Sequence, residues 1–124
     1  MAYVGKTQLT YVFSVPPDQV AEGDRIFASH GPWMEATHLR SGDSALLTYN
    51  VSKAAERTNP MDSNSAHTGN TVFVLHEIYE TEAGVTDHFQ KAMNDWSEFP
   101  DLVAWLGKCK VSGVAASPII NSLW

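Results

Sequence analysis

Thr71 to Trp96, TVFVLHEIYETEAGVTDHFQKAMNDW, joins the clearest strand of the chain to its clearest helix. From Thr71 to Glu80 β-branched and aromatic residues dominate. Both alternating sets, Phe73, Leu75, Glu77 and Tyr79 against Val72, Val74, His76 and Ile78, are mostly apolar. A strand apolar on both sides is covered on both sides. Thr81 can then cap a helix over 82–95, whose apolar positions Val85, Phe89, Ala92, Met93 and Trp96 make one stripe. His88 lies one turn from Val85 and next to Phe89, so it falls on or beside the face that meets the sheet. His76 and Glu77, being neighbours in a strand, point to opposite sides and cannot act together on one substrate atom.

Upstream, Thr7 to Val15 alternates Leu9, Tyr11, Phe13 and Val15 with Gln8, Thr10, Val12 and Ser14, a strand ended by Pro16-Pro17. A helical segment follows over 17–39, with Val20, Phe27, Met34 and His38 on one stripe. Pro32 predicts a kink or two abutting helices near residue 31. Arg40 to Asp43 stops it, and Ala45 to Ser52 is a second strand with Leu47, Tyr49 and Val51 opposite Leu46, Thr48 and Asn50. Residues 54–70 are small and polar and read as a loop, either a binding loop or a surface excursion. Downstream, Ser97 to Pro100 opens a short helix with Leu102, Val103 and Leu106 inward and Gly107 as its stop. Lys110 to Ala116 is a fourth strand, and 119–124, IINSLW, is an apolar tail.

With 124 residues, 44% hydrophobic and 18% charged, the chain reads as one domain spanning 1–124. A net charge of −6 with only eight scattered Lys and Arg argues against nucleic acid or an anionic membrane as partner. A lone cysteine, Cys109, permits no internal disulfide and no cysteine-based zinc arrangement, and suits a reducing compartment. No export-type leader or membrane-length apolar run is visible, so a soluble, cytoplasmic protein is expected.

The order β-α-β-β-α-α-β predicts an α+β fold of the ferredoxin-like, split βαβ kind: one four-stranded antiparallel sheet with its helices on one face. Because the strands present apolar residues on both sides, a second sheet is expected over the open face. The expectation is therefore a homodimer, with the tail 119–124 lying on the partner.

The runs HGPWMEATHLRSGDSALLTYNVSK (30–53) and TVFVLHEIYETEAGVTDHFQKA (71–92) resemble the antibiotic biosynthesis monooxygenase family, the dimeric α+β barrels, over about 90 of 124 residues. The matching parts are a helix with His, Pro and acidic residues leading through a glycine turn to a tyrosine-bearing strand, and an E-x-Y strand, Glu77 and Tyr79, feeding a helix with a central His88. The resemblance implies a chamber between sheet and helices and oxidation of electron-rich aromatic substrates without flavin or metal, hence no cofactor. A deprotonated phenol or enol can itself pass an electron to oxygen, so a base, a dry aromatic pocket and hydrogen bonds to the anion suffice. The superfamily also holds isomerases, decarboxylating enzymes, haem-degrading oxygenases and domains with no known activity. Its haem-degrading branch fits less well, because the first strand lacks that branch's Asn and no Trp lies between Pro60 and His88.

On this reading His88, His76 and Glu77 are the catalytic candidates. Phe27, Trp33, His38, Tyr49, Asn50 and Trp96 are the candidate walls and hydrogen-bonding groups of a small-molecule pocket. Each has a structural counterpart reading. A buried His88 can bond a carbonyl or Glu77, and a buried Glu77 must be protonated or paired with a backbone amide or Arg40. His30 and His38, eight residues apart and about 12 Å along a helix, are too distant to share one metal ion, so no metal site is expected. A non-enzymatic ligand-binding or scaffold dimer is the alternative to an enzyme.

Overall fold

A computed structural model describes residues 2–124. The elements, in order, are β1 (Thr7–Val15), α1 (Val20–Thr37), β2 (Leu46–Arg57), β3 (His67–Tyr79), α2 (Glu82–Asp95), α3 (Phe99–Leu106) and β4 (Lys110–Pro118). The architecture is α+β, a single open sheet of order β2-β3-β1-β4 in which every neighbouring pair is antiparallel. None of the described helices is long and apolar enough to cross a membrane.

The alternation in β1 and β3 decides which side the helices cover. Leu9, Phe13 and Val15 of β1 and Phe73, Leu75, Glu77 and Tyr79 of β3 are buried, and they share one face. Phe13, Phe27, Phe73 and Trp105 pack with ring centroids 5.4 to 5.9 Å apart, and Trp105 donates its indole N–H to the Gln19 carbonyl at 3.0 Å. This aromatic packing ties α1 and α3 to the central strands at one end of the layer. At the other end the same layer turns polar.

The opposite face departs from the expectation of an apolar surface. β3 does present Val72, Val74 and Ile78 there, but β1 presents Gln8, Thr10, Val12 and Ser14. Asn50, Ser52 and Ala54 of β2 stand exposed across from His76, Val74 and Val72. The patch is therefore a valine and isoleucine strip within a polar surround, and His76 meets Thr10 Oγ1 at 3.1 Å on it. The tail is also more tied down than expected: Ile119 exchanges backbone hydrogen bonds with Gly5 and Lys6 of its own chain. Beyond it Ile120, Leu123 and Trp124 stand exposed.

Three further boundaries differ from the sequence reading. Residues 54–70 are largely not a loop: β2 and β3 continue as a paired hairpin, Ala54↔Val72, Ala55↔Thr71 and Arg57↔His67, closed by a turn over 58–66. Small polar side chains hid a ladder that the backbone alone makes. Helix α1 runs as one element through Pro32, preceded by a 3-10 turn at Pro17–Gln19, so two abutting helices are not formed. A register shift between Leu46 and Thr48 inserts an extra residue, which puts Leu46, not Leu47, on the buried side with Tyr49.

Helix α2 is seated by two sequence features. Thr81 accepts a hydrogen bond from the Ala83 amide at 3.2 Å, as the capping pattern predicts. Gly84 lets the first turn close on the sheet: a Cβ there would lie 2.7 Å from the Tyr79 ring and 3.0 Å from the Ser44 carbonyl. Gly84→Ala should therefore lower the unfolding free energy by about 1–3 kcal/mol in a urea titration. Gly31→Ala, whose Cβ would meet nothing nearer than a Tyr49 ring carbon at 3.8 Å, should leave it unchanged or raise it by up to about 1 kcal/mol.

Candidate functional site

The polar end of the covered face is built around Glu77. It sits in β3 between Leu9 of β1 and Tyr49 of β2, fully buried at 0% exposure. Two residues on, and hence on the same face, Tyr79 donates its hydroxyl to Glu77 Oε1 at 2.5 Å. The other oxygen, Oε2, is buried with no hydrogen-bond partner. Burial pushes the Glu77 carboxyl up to about 7, against the Tyr79 bond, which works to lower it. The partner is thus Tyr79, and neither of the alternatives the sequence suggested, a backbone amide or the exposed Arg40, takes that place.

Above the carboxyl stand three histidines in a fixed order. His38, at the end of α1, directs Nδ1 to the Met34 carbonyl at 3.1 Å and Nε2 to His88 Nδ1 at 2.9 Å. A carbonyl only accepts, so His38 carries its proton on Nδ1, and its Nε2 must accept from His88 Nδ1–H. Burial lowers the pKa of both rings, His88 to about 3, so both are neutral and the tautomers follow. The consequence is that His88 Nε2 holds a bare lone pair. His30, on α1, has Nδ1 2.8 Å from the Tyr49 hydroxyl, and burial first, then His38, pulls its pKa down to about 4. One ligating atom each from His30, Glu77 and His88 lie within 4.8 Å of one another.

His30 and His88 also form part of the wall of a cavity of about 330 Å³ between the sheet and the helices. The rest of that wall is apolar, with Tyr11 and Phe13 from β1, Phe27 from α1, Phe89 from α2, and Trp96 and Phe99 beyond it. Its size and lining suit a small aromatic or aliphatic molecule. A larger hollow of about 490 Å³ lies between the end of α1 and β2, bordered by Glu35, His38, Arg40 and Tyr49. It is the more polar of the two, and neither His30 nor His88 borders it.

Of the residues singled out in the sequence, His88 and Glu77 come together, and Phe27 and Trp96 line the chamber, with Trp96 held by its N–H on Ser29 Oγ at 3.1 Å. Tyr49 and His38 do not line it but hold the two histidines that do. Trp33 packs its ring on Trp96, His38 and His30 and donates to Asp95 at 3.2 Å, outside the chamber wall. His76 and Asn50 are paired across β2 and β3 on the far face of the sheet, so the structure does not bring them to the site. Met93, counted in the α2 stripe, is 58% exposed.

His30 is the residue the sequence reading missed. It was weighed only against His38, whereas the fold pairs it with groups 47 and 58 positions away, Glu77 and His88. A signal was present: Ile26, His30 and Met34 recur every four residues and are all buried, a stripe one position off the one read from Val20, Phe27 and Met34. Two imidazoles and a carboxylate at this spacing could hold a metal ion. No family model matches the chain, and no curated protein matches it.

The buried carboxyl has a measurable signature. Folded Glu77 keeps its proton to about pH 7, while the unfolded chain releases it near 4.5, so the folded state holds more protons in between and stability falls as pH rises through that window. Glu77→Gln removes this dependence. In EDTA-containing buffer, its unfolding free energy relative to wild type should climb by on the order of 3 kcal/mol between pH 4.5 and 7. A flat difference across that range would contradict a protonated, buried carboxyl.

Proposed function

We propose that the chain is an enzyme acting on a small aromatic or apolar molecule held in the 330 Å³ chamber, with monooxygenase-like chemistry. The observation that carries this is one conjunction: a nearly apolar chamber with His88, its Nε2 unprotonated, in the wall, and a buried carboxyl oxygen without a partner close to that ring. An inert scaffold has no reason to keep a buried carboxyl oxygen unsatisfied, which costs about 1–3 kcal/mol or more. That disfavours the non-enzymatic reading.

The chemistry starts with proton transfer. An acidic O–H or C–H of the substrate gives its proton to His88 Nε2, leaving a phenolate or enolate. His88 alone is a weak base, with its pKa near 3, but above about pH 7, where Glu77 gives up its proton, the carboxylate within 4.8 Å supplies the counter-charge that stabilises the imidazolium. With dioxygen as co-reactant, the anion passes one electron to O₂, the substrate radical and superoxide recombine to form a carbon–oxygen bond, and the His88 imidazolium returns its proton to the peroxide to give a hydroperoxide. Loss of water breaks the O–O bond and leaves a carbonyl on the product. Return of the proton to a different carbon, without oxygen, would make the same site an isomerase.

The strand order β2-β3-β1-β4 and the helices on one face support reading the fold as ferredoxin-like and the chain as a relative of the antibiotic biosynthesis monooxygenases. A homodimer follows from the same reading. Val12, Val72, Val74 and Val114 form the apolar strip of the uncovered face, and burying it against a second sheet would close the barrel. Gel filtration should give a dimer for wild type, and Val74→Lys, at the centre of the strip opposite Val12, should elute as a folded monomer.

The function is tested by thermal shift with quinols, anthrones and lactones, followed by oxygen uptake with whatever binds. Compounds that enter the chamber raise the midpoint. His88→Gln should retain that shift and lose about 10²–10⁴-fold in rate. If no compound stabilises the wild-type chain, the reading fails.

A further inference from the structure

We propose that His30, Glu77 and His88 form a mononuclear site for a divalent first-row transition ion, bound through the two imidazole Nε2 atoms and Glu77 Oε2, with its remaining positions open to the chamber. This goes beyond the proton-transfer reading and does not rest on it; an ion on His88 Nε2 takes the lone pair that the metal-free site offers to a proton. It needs the three donor atoms and no organic substrate.

Three observations converge on it. First, the donors are the ones left over after every other bond is made. His30 Nδ1 is engaged by Tyr49, His88 Nδ1 by His38, and Glu77 Oε1 by Tyr79. With His30 donating Nδ1–H to Tyr49, one atom on each residue is left free to ligate, and one ligand atom from each of the three residues lies within 4.8 Å of the others. His38 is excluded as a ligand because both its ring nitrogens are occupied.

Second, those outer bonds are the supports a metal centre needs. A ligating imidazole donates its far N–H to a hydroxyl, carbonyl or further base, which fixes the tautomer and the ring orientation. Here His88 donates to His38, which donates to the Met34 carbonyl, and His30 meets the Tyr49 hydroxyl. The Tyr79 hydroxyl clamps the carboxylate in the same way.

Third, Glu77 Oε2 is fully buried and without a partner, and a cation is the partner that fits it. Around an ion with bonds of about 2.0–2.2 Å, tetrahedral ligand atoms stand about 3.4 Å apart. The present spacing of up to 4.8 Å closes by side-chain shifts of about 1 Å, shared among α1, β3 and α2.

The donor set also selects the ion. Two neutral imidazoles and one carboxylate suit Zn²⁺, Fe²⁺, Co²⁺ and their neighbours, whereas Mg²⁺ and Ca²⁺ require oxygen ligands. Because His30 and His88 belong to both the triad and the chamber wall, an ion between them has vacant positions facing a bound molecule. Three protein ligands with open positions are the arrangement of catalytic sites, not of closed structural ones.

The test uses the untagged full chain, stripped with EDTA and free of organic ligand. Titration with Co²⁺ and Zn²⁺ should show one equivalent bound per chain, a visible Co²⁺ absorption band and a raised melting midpoint, with none of these for Mg²⁺ or Ca²⁺. Glu77→Ala and His30→Ala should abolish stoichiometric binding. Should either fail to fold, Tyr49→Phe keeps all three donors and removes only the support of His30, and should weaken Co²⁺ affinity about 10–100-fold. Absence of stoichiometric Co²⁺ or Zn²⁺ binding by folded wild type overturns the proposal, as does binding that Tyr49→Phe leaves unchanged. Neither result touches the organic-ligand screen, so the two ideas fail separately.

Discussion

The structure turns on a carboxyl group held in the middle of a sheet. Glu77 occupies a central strand, flanked by Leu9 and Tyr49, at a position where an apolar residue would pack without cost. Desolvating a carboxylate costs several kcal/mol, so the surroundings must either neutralise it or give it partners. Tyr79 satisfies one oxygen, and burial keeps a proton on the group up to about pH 7. Everything polar nearby is arranged around this demand: Tyr49 and the His30 and His88 rings crowd one end of a layer that is elsewhere aromatic and aliphatic.

That division of the helix-facing layer separates the aromatic packing from the buried polar groups. Phe13, Phe27, Phe73 and Trp105 interlock at one end and anchor α1 and α3. At the other end α1 and α2 each contribute a histidine whose outer nitrogen is fixed by a further residue. The chamber lies between these regions, with Phe13 and Phe27 from the first and His30 and His88 from the second in its wall. The fixed tautomer of His88 matters here because a ring free to flip would present N–H as often as a lone pair.

The elements that local pattern could reveal were legible. Alternation in 7–15 and 71–80, the Thr81 cap, the α2 stripe apart from Met93, and the opposed directions of His76 and Glu77 all follow from spacing along a few residues, and the structure bears them out. Where pattern and backbone part company, the reading erred. The β2–β3 hairpin continues through 54–57 and 67–70 with hardly any apolar side chains, since ladder bonds come from the peptide group whatever the side chain is. One extra residue near Leu47 reverses the sides on which its neighbours lie, and no periodicity announces it.

The site divides along the same line. By itself the amino-acid sequence determined the α+β class from the order of its elements, and also that Glu77 and Tyr79 share a face of a strand and that His88 falls on or beside the face of α2 that meets the sheet, because these last depend on positions at most a few residues apart. Only the tertiary structure decided that His30 joins them, that His38 serves His88 instead of a substrate, and that His76 and Asn50 turn away on the far side. Those relations are set by how α1 and α2 pack across the sheet and by the register of β2. Distances between residues 47 to 58 positions apart depend on packing, and packing leaves no local trace in the chain.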